Sequence, residues 1–223
     1  MQVKTISPSF GAEISGLNLA TINDEAFKEI YALWLKYGVL RFRGQVLNDE
    51  QLQAFSAKFG ALDTIPYFDK MGISEEEFRR QGRGSVYILN ISNIQQDGQP
   101  IGGLGDGESV WHADMTSQET QGVGMVLYGE IIPSEGGDTQ FADQHAAYDC
   151  LPEDLKKRIK DLSIKHDATH TSDGKPRQGF EKYANGDVRE TPGKLHPIVY
   201  THPETQKKRS ILAAGHGPML MGY

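Results

Sequence analysis

The chain is poor in cysteine: Cys150 is alone among 223 residues, which excludes an internal disulfide scaffold. Long apolar runs are also missing, and none approaches the roughly 20 residues that a membrane-spanning helix needs. Residues 1–16 lack the apolar stretch and small-residue cleavage site of a secretory signal peptide. We therefore expect a cytoplasmic protein that does not bind membranes.

Positive charge is scarce as well. The chain has 23 Lys and Arg against 30 Asp and Glu, a net charge of −7. A surface of this sign gives no reason to expect nucleic acid or an anionic membrane as a partner. A small anionic substrate would need a locally basic pocket.

Helices concentrate in the N-terminal part of the sequence. Apolar residues at helical spacing predict a helix over 24–37 that ends at Gly38. Asn48 is a candidate cap for a second helix over 49–59, and a third is predicted over 151–162. Residues 66–84 are charged and glycine-containing, and we expect a mobile excursion with a short helix after Ser74.

Short β-rich segments dominate the rest of the sequence. Strands are predicted over 39–43, 85–91, 123–132, 138–142, 161–168, 195–201 and 210–214. Helices gathered at one end and short strands elsewhere favour an α+β, mostly β fold with a sandwich or jelly-roll core. A doubly wound sheet would alternate strand and helix regularly. The length suits one domain.

The residues that point to chemistry are His112 and Asp114. Residues i and i+2 of a strand face the same side, so their side chains can bind one metal ion. His-x-Asp is the compact half of the 2-His-1-carboxylate triad, which leaves open positions on non-haem Fe(II) for oxygen chemistry. The motif is short and occurs by chance, so it needs support from its context.

The longer sequence resembles the taurine dioxygenase (TauD/TfdA-like) family of Fe(II)/2-oxoglutarate-dependent dioxygenases. The similar pieces occur in the family's order and cover nearly the whole chain. They are GVLRFR (38–43), FG (59–60), IGG (101–103), WHAD (111–114), PSEGGDTQFAD (133–143), AAY (146–148), HP (196–197) and THPET (201–205). The combination is far more specific than any one piece.

The resemblance implies a fold, an activity and a set of site residues. The fold is a double-stranded β-helix (jelly roll) with flanking helices. It forms a single domain over 1–223, with a portion of helices and strands at 1–84 and a truncated jelly-roll portion at 85–223. The activity is oxidation of a small, anionic organic substrate by molecular oxygen with Fe(II) and 2-oxoglutarate. The oligomeric state is left open by the sequence, with a homo-oligomer as one alternative.

Three positions match the family's site, and a fourth adjoins it. His112 and Asp114 match its first two iron ligands, and Thr139 matches the threonine that helps to hold the distal carboxylate of 2-oxoglutarate. A threonine paired within a sheet is the plainer interpretation of Thr139. Trp111 is a candidate for the substrate-pocket wall, although core packing is the commoner role of tryptophan. Gly136 and Gly137 predict a tight turn.

The C-terminal part departs from the family pattern. A distal His ligand and the Arg residues that pair with carboxylates lie beyond the hairpin at 195–214 in the family, whereas here nine residues follow Ala214 and no Arg follows Arg209. His216 is too close to the hairpin to match the distal ligand. We expect a C-terminally incomplete jelly roll and favour truncation of a longer oxygenase over a complete protein that has lost its chemistry.

The other histidines have ordinary interpretations. We expect solvated or hydrogen-bonded side chains for His166, His170, His196 and His202, and a loop position for His145. Two alternatives to the dioxygenase stay open. One is a catalytically inactive jelly-roll module that binds a small acid or a protein, and the other is a cupin-like zinc or manganese enzyme, which would need a further His cluster near His112.

Overall fold

A computed structural model describes residues 1–65, 68–100, 102–104, 111–170, 175–177, 179–184, 187, 189–210 and 219–221. The helices are α1 Asp24–Tyr37, α2 Asp49–Ala57, α3 Phe68–Met71, α4 Glu75–Arg80, α5 Gln144–Asp149 and α6 Glu153–Ile159, with 3-10 turns at Leu19–Thr21 and Glu181–Tyr183. The strands are β1 Gln2–Thr5, β2 Ala12–Ser15, β3 Leu40–Phe42, β4 Ile91–Ser92, β5 Gln95–Gln96, β6 Gln99–Pro100, β7 Gly103–Leu104, β8 Ser163–Asp167, β9 Gly193–Pro197, β10 Val199–Thr201, β11 Lys208–Ser210 and β12 Met219–Met221.

The chain divides into two compact units. The first unit comprises Met1–Gly107 and Val123–Thr139, and the second comprises Glu108–Gly122 and Gln140–Tyr223. The described strands form five sheets of two or three strands each. Helices mixed with short strands agree with the predicted α+β class. None of the helices in the described ranges is long and apolar enough to cross a bilayer.

Local signals define α1, the main helix of the first unit. The Asn23 side chain accepts the N–H of Ala26 at 2.9 Å, which caps the first turn. Gly38 ends the helix with φ 72° and donates its N–H to the carbonyl of Trp34 at 2.8 Å. This conformation favours glycine, so both predicted ends are confirmed.

An aromatic core lies between α1 and α2. Phe55 of α2 is only 3% exposed and packs edge-on against Phe27, Phe42 and Phe59. Helix α2 begins at the predicted cap, where Asn48 and Gln51 exchange side-chain-to-backbone hydrogen bonds in a capping box. The helix ends at Ala57, two residues earlier than predicted.

The segment 66–84 contributes a small core of its own. Phe68 of α3 and Phe78 of α4 are buried against each other and against Val86. The helix predicted after Ser74 is confirmed as α4. The Ser74 hydroxyl caps its first turn by accepting the N–H of Glu77. Two phenylalanines bury their rings here, so the described part of this segment packs rather than projecting as a mobile excursion.

The strand predicted over 123–132 is wrong. Its side chains do alternate: Val126 packs into the α1–α2 core, and the Tyr128 hydroxyl accepts the N–H of Leu47 at 3.3 Å, whereas Val123, Met125 and Leu127 are exposed. A strand also requires a hydrogen-bonded ladder. No strand forms over 123–132, because in the described structure no other strand lies beside these residues to complete a ladder.

The strands predicted over 85–91 and 138–142 are also wrong. Residues 85–90 form a turn and irregular backbone, and only Ile91 belongs to a strand, the two-residue β4. Residues 138–142 have irregular backbone throughout. Their β-forming residues supplied propensity but no strand partner, which is why the propensity misled.

The second unit is built around the antiparallel pair β8–β9, with β12 on the other side of β8. Ile164 lies opposite His196, and His166 lies opposite Lys194. A second hairpin pairs β10 with β11. The predicted strand over 161–168 is confirmed as β8, whereas the one predicted over 195–201 is divided at Ile198 between the end of β9 and β10. Residues 211–214 of the predicted returning strand lie outside the described residues.

Helix α5 was not expected from the sequence. Its N-terminal cap is Asp143, whose carboxylate accepts the N–H groups of His145 and Ala146. His145 therefore lies in the first turn of a helix, and its predicted loop position is wrong. The third predicted helix is confirmed in a shorter form as α6.

Candidate metal centre

His112 and Asp114 converge in the second unit. His112 Nε2 lies 3.1 Å from Asp114 Oδ1, and the two side chains are 39% and 53% exposed. An imidazole nitrogen and a carboxylate oxygen this close can bind one divalent cation with little rearrangement, and both are ligands that non-haem Fe(II) uses. The pair therefore fits two positions of the predicted iron site.

The backbone around the pair is a turn and not the expected strand. A turn covers Asp114 to Ser117, with Met115 in the left-handed region at φ 58° and Gln118 donating its N–H to the Met115 carbonyl at 3.0 Å. The two side chains still meet, because they are separated by only one residue. The expected proximity is therefore present, although the strand that was to produce it is not.

A third ligand is not found among the described residues, which contain no group of three or more His, Cys, Asp or Glu side chains placed to hold a metal ion. His216 lies outside the described residues. The cupin-like alternative needed a His cluster near His112, and the described ranges supply none.

The two remaining site candidates have different surroundings. Trp111 is 56% exposed, so core packing is wrong for this side chain, and its indole lies on the surface, one position before the first ligand candidate in the sequence. Thr139 is exposed and lies in irregular backbone, so a threonine paired within a sheet is wrong as well. Thr139 belongs to the first unit and His112 to the second. Its role towards 2-oxoglutarate stays a prediction.

The glycine turn before Thr139 is confirmed. Gly136 and Gly137 have φ values of 74° and 70°, a left-handed conformation that other residues rarely adopt. Pro133 lies 3.5 Å from the position that a Gly137 Cβ would occupy.

Several histidines form contacts that spacing alone did not indicate. His170 Nδ1 lies 2.5 Å from Asp167 Oδ2. Burial opposes ionisation of Asp167, but hydrogen bonds from His170 and Thr169 outweigh it and lower the pKa of the carboxyl. The ring of His145 lies 6.2 Å from that of His202, whose Nδ1 accepts the N–H groups of Glu204 and Thr205.

His166 differs from the expected solvated or hydrogen-bonded histidine. It is 3% exposed, and neither ring nitrogen has a hydrogen-bond partner among the described residues. Its ring lies 5.7 Å from that of His196. Burial, followed by the nearby charge of His196, lowers the pKa of His166, because both disfavour the imidazolium form.

This lowered pKa predicts a pH-dependent stability. The unfolded chain binds a proton at His166 near pH 6.5, whereas the folded chain binds it only at lower pH. The contribution of the neutral His166 ring to the free energy of unfolding is therefore complete above about pH 6.5. It is lost as the pH falls towards the pKa of His166 in the folded chain. Urea unfolding of wild type and His166→Leu between pH 7 and 5 should show a steeper loss for wild type, by at most about 1.4 kcal/mol per pH unit. Parallel curves would contradict this prediction.

The sequence matches a family description over residues 2–223: taurine catabolism dioxygenase TauD, TfdA family. The chain belongs to the TauD/TfdA family. A (S)-phenoxypropionate/alpha-ketoglutarate-dioxygenase of Sphingobium herbicidovorans is 34% identical over 99% of this chain and 72% of its own length. An alpha-ketoglutarate-dependent 2,4-dichlorophenoxyacetate dioxygenase of Cupriavidus pinatubonensis is 28% identical, over 94% of this chain and 72% of its own length.

A solved structure supports the same assignment at the level of the fold. AAD-2, crystallised with Mn(II) and N-oxalylglycine, superposes with a TM-score of 0.66 and 24% identity, covering 96% of this TauD/TfdA-family chain and 72% of its own. The predicted family is confirmed, and with it the prediction of an Fe(II)- and 2-oxoglutarate-dependent dioxygenase. In a TauD/TfdA-family chain, the role expected of His112 and Asp114 is that of iron ligands.

Proposed function

We propose that this protein hydroxylates a small anionic organic substrate with molecular oxygen, Fe(II) and 2-oxoglutarate, and that it releases succinate and CO2. The convergence of His112 Nε2 and Asp114 Oδ1 at 3.1 Å in an accessible turn carries this proposal. Two relatives are named for phenoxypropionate and 2,4-dichlorophenoxyacetate, and others for sulfonates and sulfate esters. An anionic group is common to all of these compounds.

His112 and Asp114 would hold the iron. Bound iron would supply the activation of oxygen that no protein side chain can provide. His112 must be neutral to offer a ring nitrogen, so protons and metal compete for it. Asp114 adds a negative charge that favours a cation, and its partial exposure leaves room for the cosubstrate beside it.

Thr139 and Trp111 would serve the organic molecules. A threonine hydroxyl can donate a hydrogen bond to a carboxylate, and we propose that Thr139 does so to the distal carboxylate of 2-oxoglutarate. The exposed indole of Trp111 adjoins His112 and offers an apolar surface for the substrate's carbon skeleton.

We propose that the fold is a double-stranded β-helix with flanking helices in one domain. We also propose that the protein is cytoplasmic, acts on a small molecule and binds neither nucleic acid nor a membrane. The match to AAD-2 over 96% of the chain supports a shared fold. For association between protein chains, the proposal is a homo-oligomer of this chain.

The test is an anaerobic titration of the chain with Fe(II) and then 2-oxoglutarate. We expect the visible charge-transfer band of chelated 2-oxoglutarate, followed in air by succinate release that depends on an aryloxyalkanoic acid, a sulfonate or a sulfate ester. A folded protein without the band would contradict the proposal. That result would favour the non-catalytic module that binds a small acid or a protein.

Thr139 is tested in the same titration. Thr139→Val should raise the 2-oxoglutarate concentration at half-maximal band by at least about tenfold, since a hydrogen bond to a charged group contributes roughly 1.5–3 kcal/mol. Thr139→Ser keeps the hydroxyl and should stay close to wild type. Equal values for Val and Ser would exclude a hydroxyl contact.

A further inference from the structure

The segment that follows the ligand pair is held by side chains from distant parts of the second unit. We call residues 115–122 the ligand loop. Gln118, Glu119 and Gln121 each contact a side chain that lies 75 or more positions away in the sequence. The loop is therefore fixed by β9 and β11.

His196 of β9 makes the first contact. Its Nε2 lies 2.9 Å from the backbone carbonyl oxygen of Gln118. A carbonyl oxygen only accepts, so Nε2 carries the proton and donates it. The bond is to the backbone, so it constrains the path of the ligand loop whatever side chain stands at position 118.

Lys194 makes the second contact. It lies two residues before His196 in β9, so both side chains project from the same face of the strand. Lys194 forms an ion pair with Glu119. A hydrogen bond and the charge of Lys194 lower the pKa of Glu119, which keeps the carboxylate charged. One face of β9 therefore contacts two consecutive residues of the loop.

Arg209 of β11 makes the third contact. Its Nη2 donates to Gln121 Oε1 at 3.1 Å, and its Nη1 donates to Gln144 Oε1 at 3.4 Å. The guanidinium also lies 5.0 Å above the ring of Tyr200. These contacts fix the end of the ligand loop to the second hairpin.

We propose that His196 is a positioning residue for the metal centre: through the Gln118 carbonyl it holds the ligand loop, so that His112 and Asp114 converge before the metal arrives. This inference rests on the proposed function. Gln118 lies four residues after Asp114, and the turn between them has a left-handed residue at Met115. Such a turn needs outside support, and a preformed ligand pair loses less conformational freedom on binding metal.

The test compares two amides at position 196. Asn and Gln carry the same donor and differ by one methylene; Gln places its N–H near the position of Nε2, whereas Asn falls short of the carbonyl. Binding of Mn(II), followed by electron paramagnetic resonance on the full chain, should weaken at least about tenfold in His196→Asn, the scale of outer-shell losses. His196→Gln should stay within about threefold of wild type.

Hydrogen exchange of the backbone amides gives a readout that does not need metal. Exchange across residues 115–122 should accelerate in His196→Asn and not in His196→Gln. The control is Arg177→Leu, which removes another side-chain hydrogen bond to a backbone carbonyl in the same unit, that of His170 at 3.0 Å, and touches neither β9 nor β11. It should leave both Mn(II) affinity and exchange in the ligand loop unchanged.

The outcomes separate the two proposals. The positioning role would be overturned, while the proposed function stands, by either of two results. One is a Mn(II) affinity of His196→Asn within twofold of wild type, and the other is an equal affinity for His196→Asn and His196→Gln. No Mn(II) binding to folded wild type, or binding indifferent to His112→Ala, would overturn both. If His196→Asn fails to fold, His196→Leu takes its place as the variant without a donor. A loss of at least about tenfold relative to His196→Gln supports the role, and equal values for Leu and Gln overturn it.

Discussion

Replacing His112 or Asp114 with alanine should abolish the charge-transfer band of the Fe(II)–2-oxoglutarate complex and substrate-dependent succinate release. Residues that merely orient ligands cost 10–100-fold in metal affinity or activity, so loss of a ligand itself should cost at least about 100-fold. With only two ligand candidates in the described residues, neither can compensate for the other. The measurement is the anaerobic titration, repeated on each variant.

The stability of these variants separates a metal role from a folding defect. Both side chains are about half exposed and contribute little apolar burial. His112→Ala and Asp114→Ala should therefore unfold within about 0.5 kcal/mol of wild type, the usual range for surface substitutions. His145→Ala is the control, because it removes a half-buried histidine of the same unit and should keep the band. A charge-transfer band retained in both variants would contradict the assignment of His112 and Asp114 as iron ligands.

Phe55→Ala should lower the free energy of unfolding by about 3–5 kcal/mol, the usual cost of removing a buried phenylalanine. Phe55 is buried against Leu19 and Ile30 as well as against neighbouring aromatic rings. Alanine would leave a cavity that the rigid rings around it cannot fill. The loss is a large share of the total stability of a typical domain.

Urea unfolding followed by tryptophan fluorescence measures this loss. Trp34 lies in the same aromatic core, with its ring 5.3 Å from Phe59, whereas Trp111 is already exposed. The signal therefore reports mainly on the first unit. The matched control is Leu127→Ala in the same unit, because Leu127 is 62% exposed and should lose less than about 1 kcal/mol. Equal losses in the two variants would contradict the burial of Phe55.

The sequence by itself determined the features that depend on near neighbours. Helices α1 and α2 start at Asn23 and Asn48 because a capping side chain needs only the next turn. Gly38 ends α1 for a similarly local reason. His112 and Asp114 meet because one residue separates them, and this holds even though the backbone is a turn.

Tertiary structure decided the features that depend on distant partners. Residues 123–132 have strand propensity, but a strand forms only if another strand lies beside them, and in the described structure none does. Burial of His166 follows from the pairing of β8 with β9, and His196 reaches Gln118 across 78 positions. A helix closes its hydrogen bonds within four residues, whereas a strand pair or a loop anchor requires the chain to fold back on itself. Composition and local residue spacing do not indicate which distant segments come into contact.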